Sequence, residues 1–356
     1  MSIVELVRPE IRALSPYEAA QQVDDTIRLN ANEAPWTSSG DRFRRPLNRY
    51  PEIRPAALSI SMAEYFGCDA SRLLLTRGSS EAIDLLIRAF CREGKDNIVT
   101  AAPTFSMYDH YAIVQGAENR AVTTDPANDF RLNVDKLLDA CDDHSRLIFI
   151  CSPNNPTGTT VPRDQLRELL RRRGRKSAIV VDEAYIEFSS QSSAVNLIDE
   201  YDNLVVLRTL SKALAFAGAR CGAVMGPVDV IRILNAVQPP YALATPVVEC
   251  VEDAMRESSL DEAQSGIAAI VAERERVMGV VSKLPCVDRV WPSAANFFLV
   301  RVDDSDTQMA ACLAGGVLLR DYGARLANSI RITKGTREEN DTLLETLAAV
   351  GEAAHG

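Results

Sequence analysis

Histidine is scarce in this chain: 356 residues include three, His110, His144 and His355. Their separation excludes a histidine-based metal cluster. The eight cysteines never form a C-x-x-C pair, and Cys91, Cys151 and Cys221 sit in apolar runs. That pattern excludes a zinc ribbon or a disulfide scaffold and predicts reduced, mostly packed thiols of a cytoplasmic protein. No apolar run is long enough to span a bilayer, and Glu5 and Arg8 interrupt any signal-like start. Positive charge is in deficit, with 39 Lys and Arg against 49 Asp and Glu and a formal charge of −10. Nucleic acid and anionic membranes are therefore excluded as main partners. Neither G-x-x-x-x-G-K-[ST] nor G-x-G-x-x-G occurs, so I-V-V-D-E at 179–183 does not belong to a P-loop ATPase, and a dinucleotide enzyme is disfavoured. Internal repeats, low-complexity tracts and long linkers are also missing.

What is present is a length that calls for two lobes with ample core, and a lysine in unusual company. Residues 207–222 read L-R-T-L-S-K-A-L-A-F-A-G-A-R-C-G, with Lys212 among small and apolar neighbours. Desolvation there lowers an amine's proton affinity and makes it a nucleophile for Schiff-base chemistry. Ser211 and Arg220 are placed to share one phosphate, which would hold a cofactor beside that amine. Taken alone, a serine–lysine pair beside a tight turn reads equally as a snorkelling surface lysine. Two upstream segments change this. Ala178–Val181 reads as a buried parallel strand that delivers Asp182, Glu183, Ala184 and Tyr185 at its carboxyl end, and Leu147–Cys151 reads as another, ending in S-P-N-N-P-T-G. Open α/β sheets bind ligands at that edge. Asn155, Asp182 with Tyr185, and Lys212 thus gather at three strand ends.

Taken in order, the chain opens with a short helix and connection, S-P-Y-E at 15–18 marking a helix start. A strand into a turn-rich loop is expected over 27–36, and R-Y-P at 49–51 marks a second turn. Leu73–Thr76 forms a strand, and R-G-S-S-E then opens an amphipathic helix. Gly78 permits the turn, and Ser79 or Ser80 caps. Such a helix start is a ready phosphate site as well as an ordinary cap. The next strand, Ile98–Ala101, leads to P-T-F-S-M-Y, where Phe105 is placed to lie over a planar ring or in the core. Strand–helix alternation to about 226 implies a parallel sheet with right-handed crossovers. Beyond Pro239 and Pro240, one long helix is expected over 247–283, with A-E-R-E-R-V at 272–277 as its solvated face. Strands at 294–302, 316–320 and 329–333 and a final helix over 338–349 complete a smaller lobe.

Lys212, Asp182, Asn155 and the phosphate candidates together resemble the fold-type I aminotransferases of class I and II, which use pyridoxal 5′-phosphate (PLP). The set L-V-R-P-E-I-R-A-L-S-P-Y, L-N-A-N-E, R-Y-P, C-S-P-N-N-P-T-G, V-V-D-E-A-Y-I-E-F, L-R-T-L-S-K-A and R-I-T-K-G-T-R-E-E-N, spanning residues 6–340, resembles the histidinol-phosphate aminotransferase branch. The resemblance implies an α/β fold: a large domain with a mostly parallel sheet and a smaller α+β domain. The boundaries expected are 1–42 for an N-terminal arm with part of the small domain, 43–240 for the PLP-binding domain, and 241–356 for the rest. It implies that Lys212 bears the cofactor and shuttles a proton. Asp182 keeps the ring nitrogen charged, Asn155 and Tyr185 hold the ring oxygen, and Ser79, Ser80, Ser211 and Arg220 form the phosphate cup. Tyr50 would cross a homodimer interface to the partner's cofactor phosphate. Arg331 would hold the substrate anion, the carboxylate of glutamate or the phosphate of histidinol phosphate, with Arg320, Tyr17 and Asn32 on the substrate side. Two departures stand out: Ala34 replaces a polar residue in N-E-N-P, and Arg325 lies between Arg320 and Arg331, where it would compete for the anion.

An aromatic or other amino-acid aminotransferase, or a PLP decarboxylase, would share these cofactor residues and differ in the substrate pocket. A non-catalytic module of the same fold would lack Lys212 or carry a DNA-binding segment, and this chain does neither.

Overall fold

The computed structural model describes residues 2–17, 22 and 26–353. Its larger sheet comprises β1 (Leu73–Thr76), β2 (Asn97–Ala102), β3 (Glu118–Thr123), β4 (Ser145–Cys151), β5 (Ala178–Asp182), β6 (Leu204–Thr209) and β7 (Gly222–Met225), in the order β1-β7-β6-β5-β4-β2-β3. From β3 to β6 the strands are parallel. Their apolar runs divide by alternation between two cores. Ile148, Ile150, Ile179, Val181 and Val206 face one side, and Leu147, Phe149, Val180, Val205 and Leu207 face the other. A strand buried on both faces has no polar position to spare, which is why these segments read as unbroken hydrophobic runs.

β7 departs from the expected alternation. It lies antiparallel to both β6 and β1. Because the chain turns back after β6, β7 begins at the same edge where β4, β5 and β6 end. The loop between them, residues 210–221, is closed at its base by a hydrogen bond from Leu210 N to Cys221 O.

The smaller sheet comprises β8 (Val287–Val290), β9 (Phe297–Val302), β10 (Arg320–Asp321) and β11 (Ser329–Thr333), antiparallel throughout in the order β10-β11-β9-β8. Phe298, Val300, Ile330 and Ile332 pack with Val277, Leu343 and Leu347 of the covering helices.

Several expectations are corrected. Ser15–Tyr17 form no helix, and residue 18 lies outside the described residues; the helix is Pro9–Arg12, with Pro9 in its first position. Residues 27–36 form no strand, and Ile27 and Leu29 are 89% and 90% exposed, with no neighbouring strand to pair with. Of the strand expected over 316–320 only Arg320 is strand, in the two-residue β10. The expected helix over 247–283 is two helices, Thr245–Ala254 and Glu257–Val281. The first packs with the large sheet through Val248 and Val251, and the second spans both cores, with Ile267 in that of the large sheet and Val277 and Val281 in that of the small one. The supposed solvated face also fails at Arg274, which is 7% exposed. Its Nη1 donates to Phe188 O at 3.2 Å and Ala295 O at 2.9 Å, bridging the turn after β5 to the segment before β9.

Candidate active site

Where the parallel strands end, a cavity of about 360 Å³ opens beneath the small sheet. Lys212 stands in it. The loop after β6 carries the lysine, and the cavity leaves its side chain accessible while protein surrounds the amine. Burial lowers its proton affinity most, the Arg331 and Arg220 charges lower it further, and Asp182 opposes them. The Lys212 ammonium lies 5.9 Å from the centre of the Tyr185 ring.

Asp182 ends β5 and is fully enclosed. Its Oδ2 accepts a hydrogen bond from Tyr108 Oη at 2.8 Å, and Oδ1 accepts from Ala184 N at 3.1 Å. Burial nevertheless raises its pKa to about 6, against the pull of those two donors and of Lys212. A carboxylate in that state lacks a cation, and a positive ring nitrogen in the cavity would supply one. Tyr108, which orients Asp182, was not singled out in the sequence. It sits in the P-T-F-S-M-Y run and stacks on Phe149 with ring centres 4.8 Å apart. Phe105 lines the cavity and meets the Tyr108 ring edge-on at 5.7 Å.

Asn155, after β4, donates from Nδ2 to Tyr185 Oη at 3.4 Å. Burial drives the Tyr185 phenol upward, so it stays protonated and able to donate. Asn155 Oδ1 accepts from Arg331 Nη1 at 2.5 Å and from Tyr322 Oη at 3.3 Å. Tyr322, like Tyr108, was not singled out in the sequence.

The phosphate cup has a specific construction. Neither Ser79 nor Ser80 caps the helix Gly78–Phe90. Its cap is Arg77, with no side-chain hydrogen bond, while Glu81 reaches back to Arg77 N at 2.7 Å. The first-turn N–H groups therefore remain available to an anion at the positive end of the helix. Arg220 lies across this end. Its Nη1 donates to Ser211 Oγ at 3.3 Å, and a Cβ on Gly78 would stand 2.9 Å from its Nη2. At Gly222 a Cβ would fall 2.6 Å from Arg208 O. These two glycines let the start of β7 and the helix approach closely enough to form the cup.

On the opposite wall, Arg320 and Arg331 are direct cross-strand partners of β10 and β11 and line the same cavity. Like charges in that relation repel. No carboxylate among the described residues pairs with either guanidinium, and Arg331 Nε is buried without an acceptor. An anion between them would satisfy both.

Three expected site residues lie away from this cavity. Tyr17 and Asn32 are exposed and are not among the residues that line the cavity of Lys212 in this chain. Tyr50 is half exposed and stacks on Tyr241 at 4.6 Å. The L-N-A-N-E loop has a local task instead. Glu33 accepts from Arg28 at 2.6 Å, Arg49 at 2.8 Å and Tyr50 N at 2.8 Å, tying it to R-Y-P. Arg325 lines a separate cleft with Asp109 and Asn119.

An amine with depressed proton affinity, a buried carboxylate short of a cation, two donors for a ring oxygen and an open helix terminus fit PLP. Fold and site together define a PLP-dependent enzyme of fold type I. Residues 18–347 match the family Aminotransferase class I and II. The histidinol-phosphate aminotransferase of Xanthomonas euvesicatoria pv. vesicatoria is 40% identical over 358 residues, covering 99% of this chain and 98% of that one. The protein of the same name from Escherichia coli strain SMS-3-5 is 38% identical, covering 98% of each chain. Among solved structures, the histidinol-phosphate aminotransferase of Clostridium acetobutylicum superposes with a TM-score of 0.78 at 23% identity, covering 86% of this chain and 92% of that one. The Sinorhizobium meliloti protein of that name, solved with pyridoxal-5′-phosphate, gives 0.78 at 20% identity, covering 86% and 84%. This chain belongs to the class I and II aminotransferase family, and its cofactor is PLP.

Proposed function

We propose that this enzyme transfers the amino group of histidinol phosphate to 2-oxoglutarate, a step of histidine biosynthesis. The observation that carries the reading is the pair Arg320 and Arg331, facing each other across β10 and β11 with no carboxylate partner among the described residues, on the cavity that holds Lys212. A guanidinium fork accepts carboxylate and phosphate alike, and a second cation suits a phosphate dianion. The near full-length identity to enzymes named for histidinol phosphate supports the same substrate.

When bound, PLP supplies an aldehyde that captures amines and a ring that takes up the electrons released at the substrate carbon. The remaining work falls to the chain. Lys212 Nζ, kept basic but readily deprotonated, removes the proton from the carbon bearing the amine. Asp182 would keep the ring nitrogen charged, with Tyr108 holding the carboxylate in place. Asn155 and Tyr185 would donate to the ring oxygen, and Phe105 would supply an apolar wall for the ring. The N–H groups of Ser79 and Ser80, with Ser211 and Arg220, would hold the cofactor phosphate.

Our reading includes a cytoplasmic homodimer in which Tyr50 reaches the partner's cofactor. It is supported by Tyr50 lying outside its own cavity and by the exposed apolar side chains of Ile27, Leu29 and Trp36 nearby in sequence. Among the described residues no helix is long and apolar enough to cross a membrane. We assign residues 43–240 to the cofactor lobe and 241–356 to the lobe carrying the substrate arginines, with 1–42 as an arm and part of that smaller lobe.

The test is a panel of amino donors supplied to the purified holoenzyme with 2-oxoglutarate, following product and carbon dioxide. Histidinol phosphate should be the preferred donor, without release of carbon dioxide. Preference for an aromatic amino acid lacking phosphate, or decarboxylation, would overturn the substrate assignment.

A further inference from the structure

Tyr322 lies in the turn that joins β10 to β11, and its side chain enters the cavity. Its ring is 5.7 Å from the Arg331 guanidinium, and the Phe297 ring is 5.2 Å from it. Two aromatic neighbours fix the orientation of Arg331, and with it the direction in which its N–H groups point. The Tyr322 hydroxyl makes two long hydrogen bonds, accepting from Arg331 Nη1 at 3.4 Å and donating to Asn155 Oδ1 at 3.3 Å. That Asn155 oxygen already accepts the shorter, charged bond from Arg331 at 2.5 Å. Tyr322 is thus a redundant donor to Asn155, and its departure leaves no acceptor without a partner.

The shapes of the two anions make this redundancy useful. A carboxylate is planar, and one edge of a guanidinium engages both of its oxygens. The Nη1 of Arg331 is engaged by Asn155, while Nε is buried with no acceptor. Nη2, which is neither enclosed nor engaged by a protein acceptor, is therefore the group left for the ligand. A phosphate is tetrahedral, and at least one terminal oxygen stands out of the guanidinium plane. That oxygen needs a donor from another direction.

We propose that Tyr322 determines specificity by turning its hydroxyl from Asn155 to that out-of-plane oxygen, which favours the phosphate substrate over the carboxylate one. This rests on the reading of the site given above. Arg331 serves both anions; Tyr322 separates them.

The test compares wild type with Tyr322→Phe, which keeps the ring against Arg331 and removes only the hydroxyl. In the holoenzyme, where the cofactor occupies the helix terminus, binding of inorganic phosphate and of glutarate is measured by calorimetry. Loss of a hydrogen bond to a charged group should weaken phosphate binding by roughly ten-fold or more. Glutarate binding should shift by less than about three-fold, since its partner fork is intact. In turnover, KM for histidinol phosphate should rise in parallel while kcat stays nearly constant. Tyr322→Leu, which also removes the ring, should weaken both anions. Equal weakening of phosphate and glutarate in Tyr322→Phe, or no change in either, overturns the proposal. If phosphate discrimination depends on Tyr322 but histidinol phosphate is not turned over, the proposal stands and the substrate named above is wrong.

Discussion

Tyr108→Phe isolates how the protein keeps Asp182 charged. The substitution removes one hydroxyl and leaves the ring stacked on Phe149. What is lost is the 2.8 Å hydrogen bond to Asp182 Oδ2. A hydrogen bond to a charged group contributes about 1.5–3 kcal/mol, and one pKa unit corresponds to about 1.36 kcal/mol. The ionised carboxylate should therefore lose stabilisation worth about one to two pH units. Asp182 works ionised, so the acid limb of the activity profile moves to higher pH by that amount. Well below both limbs the rate falls by about 10- to 100-fold; above them it recovers almost fully. The assay is the half-reaction with glutamate between about pH 5.5 and 9.5, with cofactor occupancy checked by absorbance. An acid limb that stays in place in a fully loaded variant would refute the argument, as would a loss of rate equal at every pH.

Other substitutions probe separate claims. Asp182→Asn cannot oppose a positive ring nitrogen, so turnover should fall about 10²-fold or more; near-normal half-reaction rates with PLP bound would sink that role. Lys334 is 6% exposed, its amine has no hydrogen-bond partner, and burial lowers its pKa to about 7. The unfolded chain thus binds more protons between about pH 7 and 10.5, and this cost is full below that window and fades as pH rises through it. Lys334→Met should raise the melting temperature clearly at pH near 6.5 and little at pH near 10, and a gain independent of pH would contradict this. Arg274→Ala leaves two buried carbonyls, Phe188 O and Ala295 O, without a donor. It should destabilise by roughly 2–5 kcal/mol in urea unfolding; a change under about 0.5 kcal/mol would make the bridge incidental.

The part of the site carried by local sequence was legible. Asn155, Tyr185 and Lys212 each follow a strand by a few residues, Asp182 ends one and Arg220 lies just before another, and a buried strand is visible as an apolar run. The residues missed are those whose roles depend on what packs against them. Tyr108 reads as an ordinary helix residue, and only the fold brings its hydroxyl to Asp182, 74 positions away. Tyr322 needs the register of β10 on β11 to reach Asn155, 167 positions away. Arg274 sits in a run of alternating charge, and nothing in that run says which side meets the large lobe. The strand expected over 27–36 shows the opposite error: Ile27 and Leu29 alternate correctly, but alternation alone does not provide a neighbouring strand.

The reversed strand β7 has one more effect. The loop bearing Lys212 is closed at its base onto the large sheet, whereas Arg331 belongs to the other sheet. The Arg331 charge is part of what keeps the Lys212 amine from holding a proton. An anion that neutralises Arg331 relieves that repulsion and makes the lysine more basic. Occupancy at one wall is thus relayed electrostatically to the other: a bound anion makes Lys212 a stronger acceptor at the moment a substrate proton is there to be taken.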